Sequence, residues 1–234
     1  MTKKTNYQPA ELLASLHPLA SQLTPRQKDD LLANCSIMEV KRGASIYGEG
    51  ETVSCLYCLL AGAVKIYMTG EKGRGQIVRL VKPLDLFGFR TMFSTDKYTT
   101  SCVALKDAVV CAIPANRIHA YMKSNTALAD FFLRLLSFDV IDSDARYVRF
   151  SQKHLRGRLA ETLLYLAHYF GLKDDGQTLS VDLSREDLAN FSFMTTANAI
   201  RTLSAFASEK LVELKQREIK LLDIEQIRFV REHS

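Results

Sequence analysis

Three hydrophobic textures follow one another along the first two thirds of the chain. After a loose tail over residues 1–10, leucines recur at helical spacing in "PAELLASLHPLASQLTPRQKDDLLANC". Within it, Thr24 and Pro25 supply an N-cap and a first-turn proline for a helix carrying Leu31 and Leu32. From Ser36 to about Pro114 short runs of Val, Ile, Leu and Tyr alternate with glycine and charged turns, which predicts an antiparallel barrel or sandwich. "TGEKGRGQ" reads as the turn of a hairpin between Val64–Met68 and Ile77–Leu80. From Asn125 to Lys153 there is neither glycine nor proline, and Leu128, Phe132, Leu135, Leu136, Val140 and Tyr147 recur mostly three or four apart. That predicts one helix far longer than the mean of about 11–12 residues. A helix this long packs along most of its length, and we read those six residues as the seam with a second copy. The alternative is packing within its own chain only.

The last third has a different order. "LRGRLAETLLYLAHYFG" predicts a helix over Leu159–Phe170 ended by Gly171. A polar loop, "LKDDGQ", leads to the alternating run "TLSVDLS", read as a strand. Two short helices follow, and "LVELKQREIKLLD", Leu211 to Asp223, reverses at Gln216–Arg217 like a small hairpin. Helix, strand, helix, helix, hairpin is the order of a winged helix-turn-helix.

Ser184 opens "SRED", a capping-box pattern with Asp187 in place of the preferred Glu, and Leu188 and Phe191 form the inner face of that helix. Thr195 can cap the second helix through its hydroxyl. At roughly 100° per residue, Ala199, Ile200, Leu203, Phe206 and Ala207 share one side, and Ala197, Asn198, Arg201 and Ser204 the other. Small residues at the start of a recognition helix let it approach the bases of the major groove. Thr and Asn exchange hydrogen bonds with base edges, Arg pairs with guanine in a bidentate manner, and amides at the helix N-termini meet phosphates. The candidate DNA-contacting residues are Ser184, Arg185, Thr195, Thr196, Ala197, Asn198, Arg201 and Ser204, with Lys215 and Arg217 at the hairpin tip. Arg201 is expected to read guanine, Thr196 and Asn198 to touch flanking bases or phosphates, and Arg185, Lys215 and Arg217 to touch the backbone. The competing expectation is that Arg201 pairs with Glu186 or Glu209 and never meets DNA.

Composition narrows the class. The chain of 234 residues is 47% hydrophobic and 24% charged, as in globular proteins. Its longest mostly apolar run, "CLYCLLAGAV", has ten residues where a membrane span needs roughly 20. The N-terminus lacks the apolar core of a secretory signal, so a cytoplasmic location is expected. The five cysteines are scattered. Only Cys55 and Cys58 have a C-x-x-C spacing, with no second pair, and in a strand they face opposite ways, as ordinary core thiols. No metal-ligand spacing, phosphate loop or nucleophile–base constellation stands out, which argues against an enzyme and against a metal site. The net charge is +5, but residues 1–150 carry 19 Lys+Arg against 14 Asp+Glu, and residues 151–234 carry 12 of each. The positive excess therefore lies outside the part read as DNA-binding, and only the local placement of cations matters.

"GEGE" (Gly50), "LAGAVKIY" (Gly62), "EKGRGQIV" (Gly73) and "LDLFGF" (Asp85, Gly88) stand in an order that resembles the β-roll of the Crp–Fnr family of bacterial transcription regulators. "GRLAETLLYLA" and "LSREDLANFSFMTTANAIRTLSAF" are similar to the start of that family's DNA-binding domain and to its helix-turn-helix. The resemblance runs from about Leu31 to Val230. It implies an α+β chain with a cyclic-nucleotide-binding-like β-roll for effector sensing and N-terminal helices (1–124), a dimerisation helix (125–153) and a winged helix-turn-helix (154–234). It also implies a homodimer on a palindromic operator, with double-stranded DNA, RNA polymerase and an unidentified small-molecule effector as partners. A rival reading is a cyclic-nucleotide-type module that regulates a partner protein and carries a degenerate DNA domain, which the neutral charge of residues 151–234 favours.

The departures from the family also inform. Members that bind cyclic AMP carry Gly-Glu for the ribose and Arg-Ser for the phosphate. At the matching positions stand Gly88-Phe89-Arg90 and Tyr98-Thr99, with Arg90 one place out of register, so cyclic AMP is not expected. We take Phe87, Gly88, Phe89, Arg90, Tyr98 and Thr99 as the effector pocket, either closed or open to an apolar or aromatic ligand. Residues 1–34 hold no cysteine for an Fnr-type iron–sulfur cluster. The recognition helix begins Thr196-Ala197 where cyclic-AMP-responsive members have Arg-Glu and keeps only Arg201, so a different half-site is expected.

Overall fold

Helical segments bracket a set of short strands. The structure is a computed structural model that describes residues 7–70, 73 and 75–234. Most of the N-terminal tail, and Glu71, Lys72 and Arg74 in the turn expected at "TGEKGRGQ", lie outside the described residues. Helices α1 (Pro9–Ser15), α2 (His17–Ala20) and α3 (Pro25–Asn34) come first. Thr24 closes a full capping box at α3: its hydroxyl accepts from the Gln27 amide and the Gln27 side chain accepts from the Thr24 amide.

Strands β1 (Ser36–Val40), β2 (Ser45–Tyr47), β3 (Cys55–Ala61), β4 (Val64–Thr69), β5 (Gly75–Val81) and β6 (Leu86–Phe87) follow. A short helix α4 (Phe89–Met92) then leads to β7 (Ser101–Ala104) and β8 (Ala108–Pro114). They form two four-stranded sheets, ordered β1-β8-β3-β6 and β2-β7-β4-β5. Apart from β4 and β5, which are adjacent in one sheet, strands next to each other in sequence alternate between the sheets, so the chain rolls rather than meanders. Gly62 makes the β3–β4 turn possible: its φ is +93°, and an added Cβ would sit 2.4 Å from the Asp107 carbonyl oxygen. Leu12, Leu16, Leu19 and Leu31 from the N-terminal helices pack with Leu56, Cys58, Cys111 and Ile113 of the first sheet, and Ile118, Leu128 and Phe132 join this core.

After α5 (Ala115–Ser124) the long helix runs as α6 (Thr126–Ser151), its first turn tied by the Asn125 side chain, which accepts from the Leu128 amide. Then come α7 (Leu155–Phe170), α8 (Arg185–Phe191), α9 (Thr196–Ser208), β9 (Val212–Lys215), β10 (Glu218–Leu221) and α10 (Ile224–Glu232). The run "TLSVDLS" is not a strand. It makes isolated bridges, Leu172 to Leu179 and Thr178 to Lys220, and its alternation reflects the burial of Leu179, Val181 and Leu183. Among the described residues no helix is long and apolar enough to cross a membrane.

The chain divides into two units, one comprising residues 1–68 and 79–141 and the other 69–78 and 142–234. The boundary between these units falls inside α6. Its first half buries Leu128 and Phe132 in one core, and its second half buries Arg146 and Phe150 in the other unit.

Candidate nucleic-acid interface

Ser184 and Thr195 start the two short helices as the sequence predicts. The Ser184 hydroxyl accepts from the Asp187 amide at 3.0 Å and donates to the Asp187 carboxylate at 2.7 Å. Thr195 Oγ1 accepts from the Asn198 amide at 3.3 Å. Leu188 and Phe191 of α8 and Ala199, Leu203 and Phe206 of α9 are buried. Helix α9 packs on both α7 and α8.

The outer face of α9 differs from the sequence reading at one position. Ile200, assigned to the inner side, is 45% exposed, while Thr202 is buried in its place. Ile200 stands about 60° from Leu203 around the helix axis, at the margin of the apolar stripe, and the packing of α9 turns it outward. The exposed face therefore reads Thr196, Ala197, Ile200, Arg201, Ser204, with Thr195 exposed at its start and Asn198 half-buried at its edge. Arg201 Nη2 donates to Asn198 Oδ1 at 2.6 Å. Glu209 does not compete for Arg201, because its carboxylate takes both Nη1 and Nη2 of Arg156 at 2.7 and 2.6 Å.

The turn between the helices is held from behind. Phe193 has a left-handed backbone, φ +54°, and its carbonyl accepts from Arg158 Nη1 at 2.9 Å. The Ser192 hydroxyl donates to the Leu188 carbonyl at 2.7 Å and lies 2.8 Å from the Thr162 hydroxyl. Arg146 of α6 is buried over the Phe191 ring, 4.0 Å from its centroid. It donates to the carbonyls of Val78, Ile77 and Phe191 at 2.7, 3.1 and 3.1 Å. Burial lowers the Arg146 guanidinium to about 10, still charged at neutral pH. Nothing in the sequence signals this role, since Arg146 is one of several charges in a long helix.

Strands β9 and β10 pair antiparallel with Lys215 opposite Glu218, leaving Gln216 and Arg217 as the turn. Lys215 and Arg217 are exposed there, as expected of a wing. Arg185, the first residue of α8, is half-buried. Its Nη2 donates to the Gln216 carbonyl at 2.9 Å, so it ties the start of α8 to the tip of the wing, and burial lowers its pKa. The family models match accordingly: a cyclic nucleotide-binding domain over residues 37–125 and a Crp-like helix-turn-helix domain over residues 157–229. The chain is a Crp–Fnr family transcription regulator.

Similar proteins agree with that placement. A transcriptional regulatory protein, btr, from Bordetella pertussis is 28% identical over 80% of this chain and 77% of its own. A CRP-like cAMP-activated global transcriptional regulator from Mycobacterium tuberculosis is 22% identical over 81% of this chain and 85% of its own. In fold, FixK2 from Bradyrhizobium japonicum superposes with a TM-score of 0.75 at 19% identity, covering 84% of this chain and 96% of that one. The protein is thus a DNA-binding regulator of the Crp–Fnr type, in a family of regulators rather than enzymes.

In this Crp–Fnr regulator the residues taken as an effector pocket have different surroundings. Phe87 packs inside the roll against Tyr57, with ring centroids 5.2 Å apart, while Phe89, beyond the left-handed Gly88, turns to Phe132 in the core beneath the N-terminal helices. Tyr98 stacks on Tyr47 at 4.0 Å and donates its hydroxyl to the Cys55 carbonyl at 3.1 Å. Tyr47, Tyr57, Phe87 and Tyr98 thus form a continuous ring stack in the roll. Burial holds the Tyr47 and Tyr57 hydroxyls far above the usual tyrosine range. Arg90 is exposed and pairs with Asp139, and Thr99 is exposed. The sequence reading missed Tyr47 and Tyr57, whose signal was an aromatic in two successive apolar runs.

The six seam residues also divide. Leu128 and Phe132 are buried in the chain's own core, and Leu135 and Leu136 pack half-buried against it. Val140 and Tyr147 are exposed, at 60% and 73%. With them Leu133, Ile141 and Val148 form an exposed apolar stripe on the opposite side of α6. Leu133, Val140 and Tyr147 are spaced by seven, the repeat of a coiled-coil seam.

Proposed function

We propose that the protein binds a palindromic operator as a homodimer and reads each half-site with the outer face of α9. The observation that carries this reading is that face itself. Arg201 stands at its centre, and no long side chain rises beside it to hold the helix off the bases. Arg201 suits O6 and N7 of guanine, Ile200 suits the methyl group of thymine, and Thr196 suits a base edge or phosphate. The exposed stripe of α6 is the proposed dimer seam. Lys215 and Arg217 supply phosphate contacts that do not depend on sequence. RNA polymerase is the proposed protein partner of the operator-bound dimer.

Selection of bound DNA from a random pool tests this reading. The expected result is an inverted repeat whose half-sites are centred about one helical turn apart, or a multiple of it. A pool that gains no sequence preference overturns it and favours a module that regulates a protein partner.

We infer further that the effector, a small molecule that shifts the balance between dimer arrangements, is not cyclic AMP. Phe89 and Tyr98 are buried rings where cyclic-AMP-binding members carry a carboxylate and an arginine, and Tyr98 belongs to a stack with Tyr47, Tyr57 and Phe87. Calorimetry with millimolar cyclic AMP is expected to register no binding. A dissociation constant in the micromolar range overturns the inference.

A further inference from the structure

Three of the five cysteines share one face of the first sheet. Cys58 of β3 and Cys111 of β8 are direct antiparallel partners, so their side chains project to the same side. Ile37 of β1 is also paired with Cys111, and Cys35 lies two residues before Ile37 in extended backbone, φ −75° and ψ 157°. Residues two apart in an extended chain face the same way, so Cys35 falls beside Cys111 on that face. Cys58 and Cys111 are buried in the core under the N-terminal helices, with Cys58 Sγ 3.9 Å from the Ser15 carbonyl oxygen. Cys35 is half-buried at the rim of the same core. All five cysteines are free thiols, and among the described residues no group of three potential ligands is arranged for a metal ion.

The three thiols are not equivalent. A side-chain hydrogen bond from Cys111 holds the Cys35 thiol down at about 7, against the opposing effect of burial. Burial raises Cys55 and Cys102, and pushes Cys58 up to about 12. Cys111 is raised by its interaction with Cys35 and by burial, so it keeps its proton. Cys35 is therefore the readiest of the three to give up its proton for the nucleophilic thiolate, and it alone of the three reaches the rim of the core. Cys111, beside Cys35 on the same face of the sheet, is placed to resolve an oxidised Cys35.

We propose that Cys35 is a site of oxidation by hydroperoxides and that Cys111 resolves it as an intrachain disulfide. The Cys35 thiolate attacks one peroxide oxygen, so that an S–O bond forms as the O–O bond breaks. The departing oxyanion takes a proton and leaves as water or an alcohol. Cys35 is then a sulfenic acid. The Cys111 sulfur attacks it, the S–S bond forms as the S–O bond breaks, and the Cys111 proton leaves with the hydroxyl as a second water. The two thiols give up two electrons and the peroxide accepts them. Cys55, half-buried in the same β3 strand as Cys58, serves as a control within the same chain.

The test treats the full, reduced chain with hydrogen peroxide at pH 7, alkylates the remaining thiols at intervals, and maps peptides without reduction. Two of the five thiols should be lost, with a peptide linking Cys35 to Cys111, and Cys35 should react roughly tenfold or more faster than Cys55, as the more acidic of the two thiols. Cys35→Ser should leave Cys111 a thiol, and Cys111→Ala should accumulate a Cys35 sulfenic acid trapped by a 1,3-diketone. If Cys111→Ala does not fold, the wild-type time course decides alone. Oxidation of Cys35 no faster than Cys55 overturns the proposal. So does conversion of Cys35 to the sulfinic acid without a link to Cys111, or a dominant link between Cys58 and Cys111.

Discussion

Arg201 and Asn198 form one unit on the recognition helix: the guanidinium donates to the amide oxygen at 2.6 Å, three residues apart on α9. Asn198 is thus expected to orient the arginine fork before DNA arrives. Arg201→Ala is expected to cost about 1–3 kcal/mol per half-site and to relax selection at one base position. Asn198→Ala should weaken the same position by less, because the fork survives without its support. The double variant should lose less than the sum of the two, since both act through one contact. Titration of the selected operator and its single-base variants measures all three. Stability falling by more than about 1 kcal/mol in Arg201→Ala while base preference holds would make the residue a surface ion-pair partner instead.

The two kinds of cation around the wing should separate in a salt titration. Arg185 holds the Gln216 carbonyl and positions the wing, whereas Lys215 and Arg217 project from it. Lys215→Ala or Arg217→Ala should weaken binding to all sequences alike and flatten the salt slope by about 1 for each phosphate no longer neutralised, counted twice in a dimer. Arg185→Ala should instead lower folding stability, by about 1.5–3 kcal/mol for a hydrogen bond from a charged group. Unchanged urea unfolding of Arg185→Ala, with a flattened salt slope, would return Arg185 to the backbone contacts.

The exposed stripe of α6 gives a clean test of the dimer. Ile141→Asp adds a charge to a residue that is 62% exposed in the isolated chain. It should convert dimers to monomers at micromolar concentration without weakening the monomer fold, because only the joined surface would bury the charge. Leu135→Asp, against the chain's own core, should lower stability as well. Sedimentation giving a mass near 26.4 kDa for the wild type across that range would refute the seam.

Acid should act on the turn after α7. Asp175 accepts from the Thr178 hydroxyl at 2.6 Å and from the Thr178 and Gln177 amides at 2.8 and 3.0 Å, bonds that hold its carboxyl down at about 2. A carboxylate depressed below its unfolded value of about 3.9 contributes stability above that pH and loses it as pH falls through about 2. Asp175→Asn should therefore show a smaller drop in urea midpoint between pH 4 and pH 2 than the wild type. An equal drop in both would show that other carboxylates govern the acid limb.

Local rules make much of this chain legible from its residues in order. The Thr24, Ser184 and Thr195 caps sit within a few residues of what they cap, and the reversal at Gln216–Arg217 is set by adjacent strands, so sequence spacing alone locates them. The ordered glycine turns point to the roll through their resemblance to the family, and Gly62 shows why one of them needs glycine, with a left-handed φ and no room for a Cβ.

What the sequence could not decide depends on which neighbour arrives. Helix α6 is apolar on two sides, and periodicity does not say which stripe meets the core; tertiary packing took Leu128 and Phe132 and left Leu133, Val140 and Tyr147 outside. Ile200 lies at the edge of its stripe, where a small rotation of α9 against α7 and α8 moves it from core to groove. Arg185 and Gln216 are 31 residues apart, and the rings of Tyr47, Tyr57, Phe87 and Tyr98 come from separate segments, so only the closed fold made them partners. The sequence alone determined the helix caps, the wing turn and the helix-turn-helix, because those follow from interactions within a turn or two. The tertiary structure decided which faces are covered and which cations are already engaged, because those follow from contacts between residues far apart in the chain.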